Sequence, residues 1–207
     1  MELLAVSKYA DVAAVRALAA AGQRLFGENR VQDATAKINA LAGDPPPGEP
    51  LEWHLVGHLQ TNKARAAIGA FAVVQSLDSL HVAQELSRRA LEAGRALSVL
   101  IQVNVDDDPA KEGFYTGQAA SVYAALAALP GLRVEGLMTI GKLVANPSAA
   151  RPTFAALRGL RERLDRLGVA QPLRHLSMGM SSDYEVAIEE GATIVRVGNA
   201  LFGGQSR

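Results

Sequence analysis

The stretch Leu3-Leu4-Ala5-Val6-Ser7-Lys8 decides how the chain is interpreted, because it is a short apolar run that ends on a lysine. A strand buried on both faces consists almost entirely of apolar residues. Lys8 therefore has two interpretations: a side chain that reaches solvent from a strand end, or a partly enclosed amine. Burial disfavours the ammonium form, so an enclosed lysine is the better nucleophile. This stretch alone favours the solvent-facing lysine.

Seven further apolar runs follow, and each of the eight is paired with a helical pattern. The predicted strands are 3–7, 24–27, 52–57, 72–76, 97–105, 133–138, 174–177 and 193–197. The predicted helices are 11–21, 30–41, 63–68, 79–93, 116–129, 152–167 and 182–190, with a last helical turn after residue 198. Asp11, Ser79 and either Thr61 or Asn62 are of the residue types that cap helix starts.

Eight strand–helix units in 207 residues lie at the lower end of the size range of a (β/α)8 TIM barrel. The alternative is an open doubly wound sheet, which usually carries a glycine-rich phosphate fingerprint after its first strand. Here the first strand ends in Ser7-Lys8-Tyr9, without glycine. The sequence therefore predicts an α/β protein with one barrel domain over residues 1–207.

The composition limits the classes of partner. Lysine and arginine together number 21, as do aspartate and glutamate, so the chain has no charge excess to attract nucleic acid or an anionic membrane. Cysteine is absent, which excludes disulfides and thiolate chemistry. No apolar run reaches transmembrane length, and no signal peptide is recognisable. We expect a cytoplasmic protein, and a monomer, because no long apolar surface stripe calls for a second copy.

Polar residues cluster at the carboxyl ends of the predicted strands, where the active sites of such barrels lie. They are Lys8, Glu28, Asn29, residues 54–58, Ser76, Asp78, Asn104, Met138, Thr139, residues 177–182 and Arg196. Two glycine-containing loops follow the last two strands, at 178–183 and 198–204, and the first of them also contains two serines. These are the two loops that commonly hold phosphate in this fold, through backbone N–H groups and a helix start.

The lysine amine could bond a carbonyl carbon, and the two loops could bind a phosphate. Together they predict that the ligand is a phosphorylated aldehyde or ketone. Pyridoxal 5′-phosphate is one such molecule, and the sugar phosphate of a Schiff-base aldolase is another. Arg196 lies two residues before the second phosphate loop. Beside a pyridine nitrogen, an arginine would keep that nitrogen unprotonated and the ring a weak electron sink. The alternative is an arginine that pairs with a carboxylate in the barrel mouth.

His54 and His58 are spaced like metal ligands on a helix, but they fall on a predicted strand and its loop. Such a pair does not reliably face one ion, and no third ligand is obvious. We therefore expect no metal site in this protein.

Several motifs, spread in order over nearly the whole chain, carry a family resemblance. They are Val6-Ser7-Lys8, Gly27-Glu28-Asn29 with Val31-Gln32, Trp53-His54 through Gly57, Leu59-Gln60 with Asn62-Lys63, Lys111 with Gly113, Leu176-Ser177-Met178-Gly179-Met180-Ser181, and Arg196-Val197-Gly198 through Leu201-Phe202-Gly203. The chain resembles the pyridoxal phosphate homeostasis protein family, also called the proline synthase co-transcribed proteins. The resemblance implies a single barrel like the N-terminal domain of alanine racemase, with pyridoxal phosphate held as a Schiff base.

The resemblance also implies roles for particular residues. Lys8 would be the Schiff-base lysine, and Arg196 would face the pyridine nitrogen. The phosphate would be held by Ser181 and by the backbone of Gly198 and Asn199. The remaining cofactor-pocket residues implied are Asn29, His54 and Met138.

The chain departs from the family pattern in three places. The helix that usually precedes the first strand is missing, Asn199 replaces the usual Thr or Ser, and Tyr9-Ala10 is an unfamiliar pair after the lysine.

Three functions follow as hypotheses. The first is a carrier of pyridoxal phosphate in vitamin B6 homeostasis, without catalytic turnover, which could pass the cofactor to apo-enzymes. The second is a racemase-like enzyme. In related racemases a tyrosine supplied across a dimer, which involves a second domain, is the second acid–base group, and we expect no room for that domain after the eighth strand. The third is a Schiff-base aldolase, for which no proton-relay group is clear.

Overall fold

The computed structural model describes residues 1–141 and 146–203. Its barrel strands are β1 (Glu2–Val6), β2 (Leu25–Glu28), β3 (Glu52–Leu55), β4 (Val73–Leu77), β5 (Leu97–Asn104), β6 (Leu132–Met138), β7 (His175–Ser177) and β8 (Ile194–Val197). Its α-helices are α1 (Val12–Ala20), α2 (Val31–Ala42), α3 (Ala64–Ala70), α4 (Leu80–Glu92), α5 (Ala119–Ala127), α6 (Arg151–Asp165), α7 (Tyr184–Glu189) and α8 (Asn199–Phe202).

The eight strands form one closed parallel sheet. Each strand pairs with its neighbour in sequence, β1 pairs with β8, and the β4–β5 pairing completes the ring. Ala5 lies opposite Val197 where the first and last strands meet. The predicted barrel is thus confirmed, and the open doubly wound sheet is excluded.

Side chains alternate between the barrel interior and the surrounding helices, as the period of two in a strand requires. The apolar interior is formed by Leu4, Val56, Leu100, Met138 and Ile194. The larger core lies between the strands and the helices, where the rings of Phe26 and Trp53 have centroids 5.4 Å apart.

Helix starts only partly follow the prediction. Asp11 caps α1, with a side-chain oxygen 2.8 Å from the amide nitrogen of Ala14. The predicted cap at Thr61 or Asn62 is wrong: Thr61–Lys63 is a 3-10 turn, and α3 begins after it without a side-chain cap. Ser79 occupies the N-cap position of α4, but its side chain makes no capping hydrogen bond.

The region after β5 differs most from the prediction. The expected helix 116–129 begins as a 3-10 turn at Thr116–Gln118, and its α-helical part ends at Ala127. A two-residue strand, Phe114–Tyr115, pairs in parallel with the end of β5. Two residues are too short for a period of two to be recognised in a sequence.

Among the described residues, no helix has the length and apolar character needed to cross a bilayer.

Candidate functional site

Lys8 follows β1 at the carboxyl end of the barrel, as predicted. Its side chain is exposed, with Nζ 4.9 Å from the centroid of the Tyr9 ring. Lys8 borders a small cleft together with Val6, Gly198 and Asn199. The structure therefore brings the lysine to the backbone of the loop after β8, and the amine remains accessible from solvent.

The two predicted phosphate loops meet beside this cleft. The Ser181 hydroxyl oxygen accepts hydrogen bonds from the backbone N–H groups of Gly198 (3.3 Å) and Ala200 (3.5 Å). The carbonyl of Gly179 accepts a 3.0 Å bond from the backbone N–H of Arg196, which joins the loop after β7 to β8. Three predicted site residues, Ser181, Gly198 and Lys8, are thus neighbours on one surface. Gly204, at the end of the second loop, lies outside the described residues.

Gly179 lets the first loop pack closely. Its φ of +88° is in the region that favours glycine, and a Cβ there would lie 2.5 Å from the Cβ of Ala187 on α7. The absence of a side chain at Gly179 therefore allows α7 to pack closely against this loop.

Arg196 is buried on β8 and hydrogen-bonds to neutral oxygens. Its guanidinium donates to Ser177 Oγ and to the carbonyl oxygen of Thr139, both at 2.8 Å. Burial lowers the pKa of Arg196 to about 10, and the negative charge of Asp183 opposes that shift. The guanidinium therefore still carries its proton at neutral pH. Within residues 1–141 and 146–203, no carboxylate forms an ion pair with Arg196, contrary to the alternative interpretation from the sequence.

A chain of hydrogen bonds continues from Ser177 through the barrel interior. The Ser177 hydroxyl donates to Gln75 Oε1 at 2.6 Å, and Gln75 Nε2 lies 2.7 Å from His54 Nδ1. His54 Nε2 lies 2.9 Å from a carboxylate oxygen of Glu52. We refer to Glu52, His54, Gln75, Ser177 and Arg196 as the interior chain.

The donors of the interior chain all point the same way. Because the Gln75 amide group donates to Nδ1, the ring of His54 is the tautomer with its proton on Nε2, assigned from this network. That proton is donated to Glu52, and this hydrogen bond holds the pKa of the Glu52 carboxyl below its ordinary value of 4.5. His54 thus lies inside the barrel, and Gln75 and Ser177 connect it to Arg196.

Two other predicted pocket residues do not line the cleft beside Lys8. Met138 is fully buried in the apolar interior of the barrel. Asn29 borders a separate cavity of about 530 Å³ between the loops after β2 and β3. Gly57, His58, Gln60 and Lys63 are also in the lining of that cavity.

A buried ion pair lies behind Lys8 and was not predicted from the sequence. Lys37 on α2 donates to Glu28 Oε1 at 2.5 Å and to the carbonyl oxygen of Ser7 at 2.6 Å. The Ser7 hydroxyl donates to the same Glu28 oxygen at 2.6 Å. These bonds fix the peptide group that precedes Lys8. Gln75 was also missed, although a glutamine inside the apolar run 73–77 was a usable signal.

The closed barrel with a strand-end lysine is of the alanine racemase N-terminal domain class, and the family model described as "Alanine racemase, N-terminal domain" matches residues 1–206. The pyridoxal phosphate homeostasis protein of Aquifex aeolicus is 43% identical over 203 residues, covering 98% of this chain and 86% of that protein. The protein of the same name from Pseudomonas aeruginosa is 45% identical over 201 residues, covering 97% and 83%. The chain belongs to the pyridoxal phosphate homeostasis protein family.

Solved structures agree with this assignment. PipY of Synechococcus elongatus PCC7942, with pyridoxal phosphate bound, superposes with a TM-score of 0.89 at 41% identity, covering 98% of this chain and 92% of that chain. Alanine racemase of Clostridium difficile 630 superposes with a TM-score of 0.74 at 16% identity, covering 97% and 50%. The second likeness concerns the fold alone.

Proposed function

We propose that this protein binds pyridoxal 5′-phosphate at the carboxyl end of the barrel, as a Schiff base with Lys8, and serves pyridoxal phosphate homeostasis without catalytic turnover. The observation that carries the proposal is the meeting of Lys8 with Gly198 and Asn199 around one cleft. The names of the curated relatives and the cofactor bound to PipY support it.

The described residues fit this cofactor in two respects. The backbone N–H groups of Gly198 and Ala200 meet at the Ser181 hydroxyl, and together these groups offer donors to a phosphate. Arg196 is a buried cation whose hydrogen-bond acceptors are neutral oxygens. Such an arginine suits the pyridine nitrogen of the cofactor, because it offers that nitrogen a hydrogen-bond donor with no ion-paired carboxylate among the described residues.

The same residues explain why holding the cofactor is favoured over turnover. When bound, pyridoxal phosphate supplies an aldehyde carbon for an amine and a ring that withdraws electrons. Arg196 keeps its own proton, so it would leave a neighbouring ring nitrogen unprotonated and weaken that withdrawal. Lys8 would hold the aldehyde carbon, while Ser181 and the loop after β8 orient the phosphate.

A racemase-like activity is the second candidate, because the barrel is shared with alanine racemase. Racemisation needs proton-transfer groups on both faces of the cofactor. Lys8 would serve one face. This candidate therefore predicts a second proton-transfer group, and rapid exchange of the amino-acid α-proton reports its presence.

The test uses the full-length protein incubated with pyridoxal phosphate. We expect a visible absorption band that borohydride converts into a stable adduct on the peptide containing Lys8. Lys8→Ala should lose the band and the adduct, while Lys63→Ala, a lysine on the neighbouring cavity, should keep both. A colourless protein that takes up no cofactor would contradict the proposal. Rapid α-proton exchange with alanine in heavy water would overturn the non-catalytic part alone.

A further inference from the structure

His58, Asp78 and Glu112 form a second cluster at the mouth of the barrel. They lie in the segments that follow β3, β4 and β5, and each offers one ligand atom within 4.8 Å of the other two. His58 Nδ1 is 2.7 Å from Asp78 Oδ2. His54 cannot join this cluster, because both of its ring nitrogens are hydrogen-bonded inside the barrel.

Asp78 is the member of the cluster that needs explanation. Its side chain is only 3% exposed, and its buried Oδ1 has no hydrogen-bond partner among residues 1–141 and 146–203. Taking an ionised carboxylate out of water is expensive unless both oxygens are paired or bind a metal. His58 satisfies Oδ2 alone, and Glu112 brings a second negative charge to the same place. A cation at this position would compensate both carboxylates.

We propose that His58, Asp78 and Glu112 bind a divalent first-row transition cation of the zinc type. One imidazole and two carboxylates are ligands that such ions accept, and three protein ligands leave a coordination position for water. The 530 Å³ cavity that His58 borders supplies that water.

The distances suit one ion. Zinc lies about 2.0–2.2 Å from nitrogen and oxygen ligands, so two ligands of one ion are at most about twice that distance apart. The three ligand atoms lie within 4.8 Å of one another, so small rotations of the exposed His58 and Glu112 side chains would bring all three to one ion. A simple His58–Asp78 ion pair would leave Oδ1 of Asp78 and the position of Glu112 unexplained.

The test is a titration of the full-length protein with Zn²⁺ by calorimetry after treatment with a chelator, and with Co²⁺ by visible spectroscopy. We expect one ion per chain. Each of His58→Gln, Asp78→Asn and Glu112→Gln should weaken binding by at least about tenfold, since each removes one ligand. The matched controls are His175→Gln, at the amino end of β7, and Glu49→Gln, an exposed residue of the loop before β3; both should bind as the parent does.

Repeating the titration on Lys8→Ala keeps the result independent of the cofactor, which itself could bind metal. Asp78→Asn changes a buried side chain, so its folding must be checked separately. We expect a cooperative thermal unfolding transition, which shows that a loss of metal binding in this variant is not a loss of the fold. No saturable binding by the parent, or binding that survives unchanged in all three cluster variants, would overturn the proposal and leave an ion pair only.

Discussion

Ser177 is the residue through which Arg196 is joined to the barrel interior. Its oxygen accepts from the guanidinium while its proton goes to Gln75, which is 102 residues away in sequence. One small hydroxyl thus both fixes the orientation of the arginine and pairs a buried amide. Loss of a buried partner costs about 1–3 kcal/mol, because the remaining group has been taken out of water.

Ser177→Ala should therefore lower the free energy of unfolding by about 1–3 kcal/mol and shift the absorption band of bound pyridoxal phosphate, since Arg196 loses one of its two acceptors. The matched control is Ser98→Ala, a buried serine of β5 that also accepts from an arginine, Arg133, and donates to Glu135. That control should lose stability in urea unfolding without moving the band. An unshifted band in Ser177→Ala would contradict the positioning role.

Glu52 gives the interior chain a dependence on pH. Its pKa is lowered in the folded protein by the hydrogen bond from His54, so its stabilisation is fully present above the ordinary value of 4.5 and is lost as the pH falls through the lower, folded value. Glu52→Gln should flatten this part of the stability profile between about pH 5 and pH 3. Urea unfolding at several pH values measures it, and an unchanged slope in the variant would count against the assignment.

The sequence predicted the positions of residues at the strand ends well, and those of side chains that point into the barrel less well. Lys8 and the two phosphate loops could be assigned to the mouth because they follow apolar runs. His54 was expected among the residues at the strand ends, but it lies within β3, two residues after Glu52. His54 therefore shares the inward face with Glu52, and its partner Gln75 comes from the next strand, a pairing that no local pattern encodes.

At the scale of elements, the loops at the mouth depend on close backbone packing. A Cβ on Gly57 would lie 2.2 Å from the carbonyl oxygen of Asn29, so the loops after β2 and β3 touch at a position that excludes any side chain.

Gly57→Ala should therefore destabilise the protein by on the order of 1–3 kcal/mol, through backbone shifts that relieve the overlap. Gly69→Ala is the control with the opposite sign: a Cβ at this position of α3 would have no atom of the described part of the chain within 4 Å. The gain in helix propensity should make that variant more stable by up to about 1 kcal/mol. Thermal unfolding compares the two, and a neutral Gly57→Ala would show that the loops can separate freely.

Helix α2 is attached to β1 and β2 by the ion pair of Lys37 with Glu28. Lys37→Met should cost about 3–5 kcal/mol, because it leaves a buried carboxylate without its cation. The double variant Lys37→Met with Glu28→Gln should recover part of that loss, since both charges are then gone. Chemical unfolding of the single and double variants measures the coupling, and a double variant no more stable than Lys37→Met would argue against an uncompensated charge as the cause.

At the scale of the whole molecule, the barrel could be predicted from the count and order of strand–helix units, and the closing β4–β5 pairing agrees with that count. The starts of α3 and α5 could not be predicted, because each follows a 3-10 turn, and 3-10 turns and α-helices begin with the same kinds of residue. The segment Phe114–Tyr115 depends on β5 for its hydrogen bonds, so its extended form is set by tertiary pairing.

The proposed cofactor site also predicts a global effect. Its residues come from β1, β8 and the loop after β7, so a ligand bound there should stabilise the folded protein by about 2.7 kcal/mol at a hundred times its Kd. Pyridoxal phosphate should raise the unfolding midpoint of the parent more than that of Lys8→Ala. Equal shifts in the two proteins would indicate that the lysine adds nothing to binding.

The uniform direction of the interior chain gives the barrel an electrical axis. Successive donors run from the guanidinium of Arg196 to the carboxylate of Glu52, which lies at the amino end of β3. Dipoles aligned head to tail reinforce one another where water is excluded. The positive pole of this axis is directed at the side of the molecule where Lys8 and the loops after β7 and β8 lie, and the negative pole at the opposite rim. Although the net charge of the molecule is zero, an approaching anion should therefore be attracted to the end at which Lys8 lies.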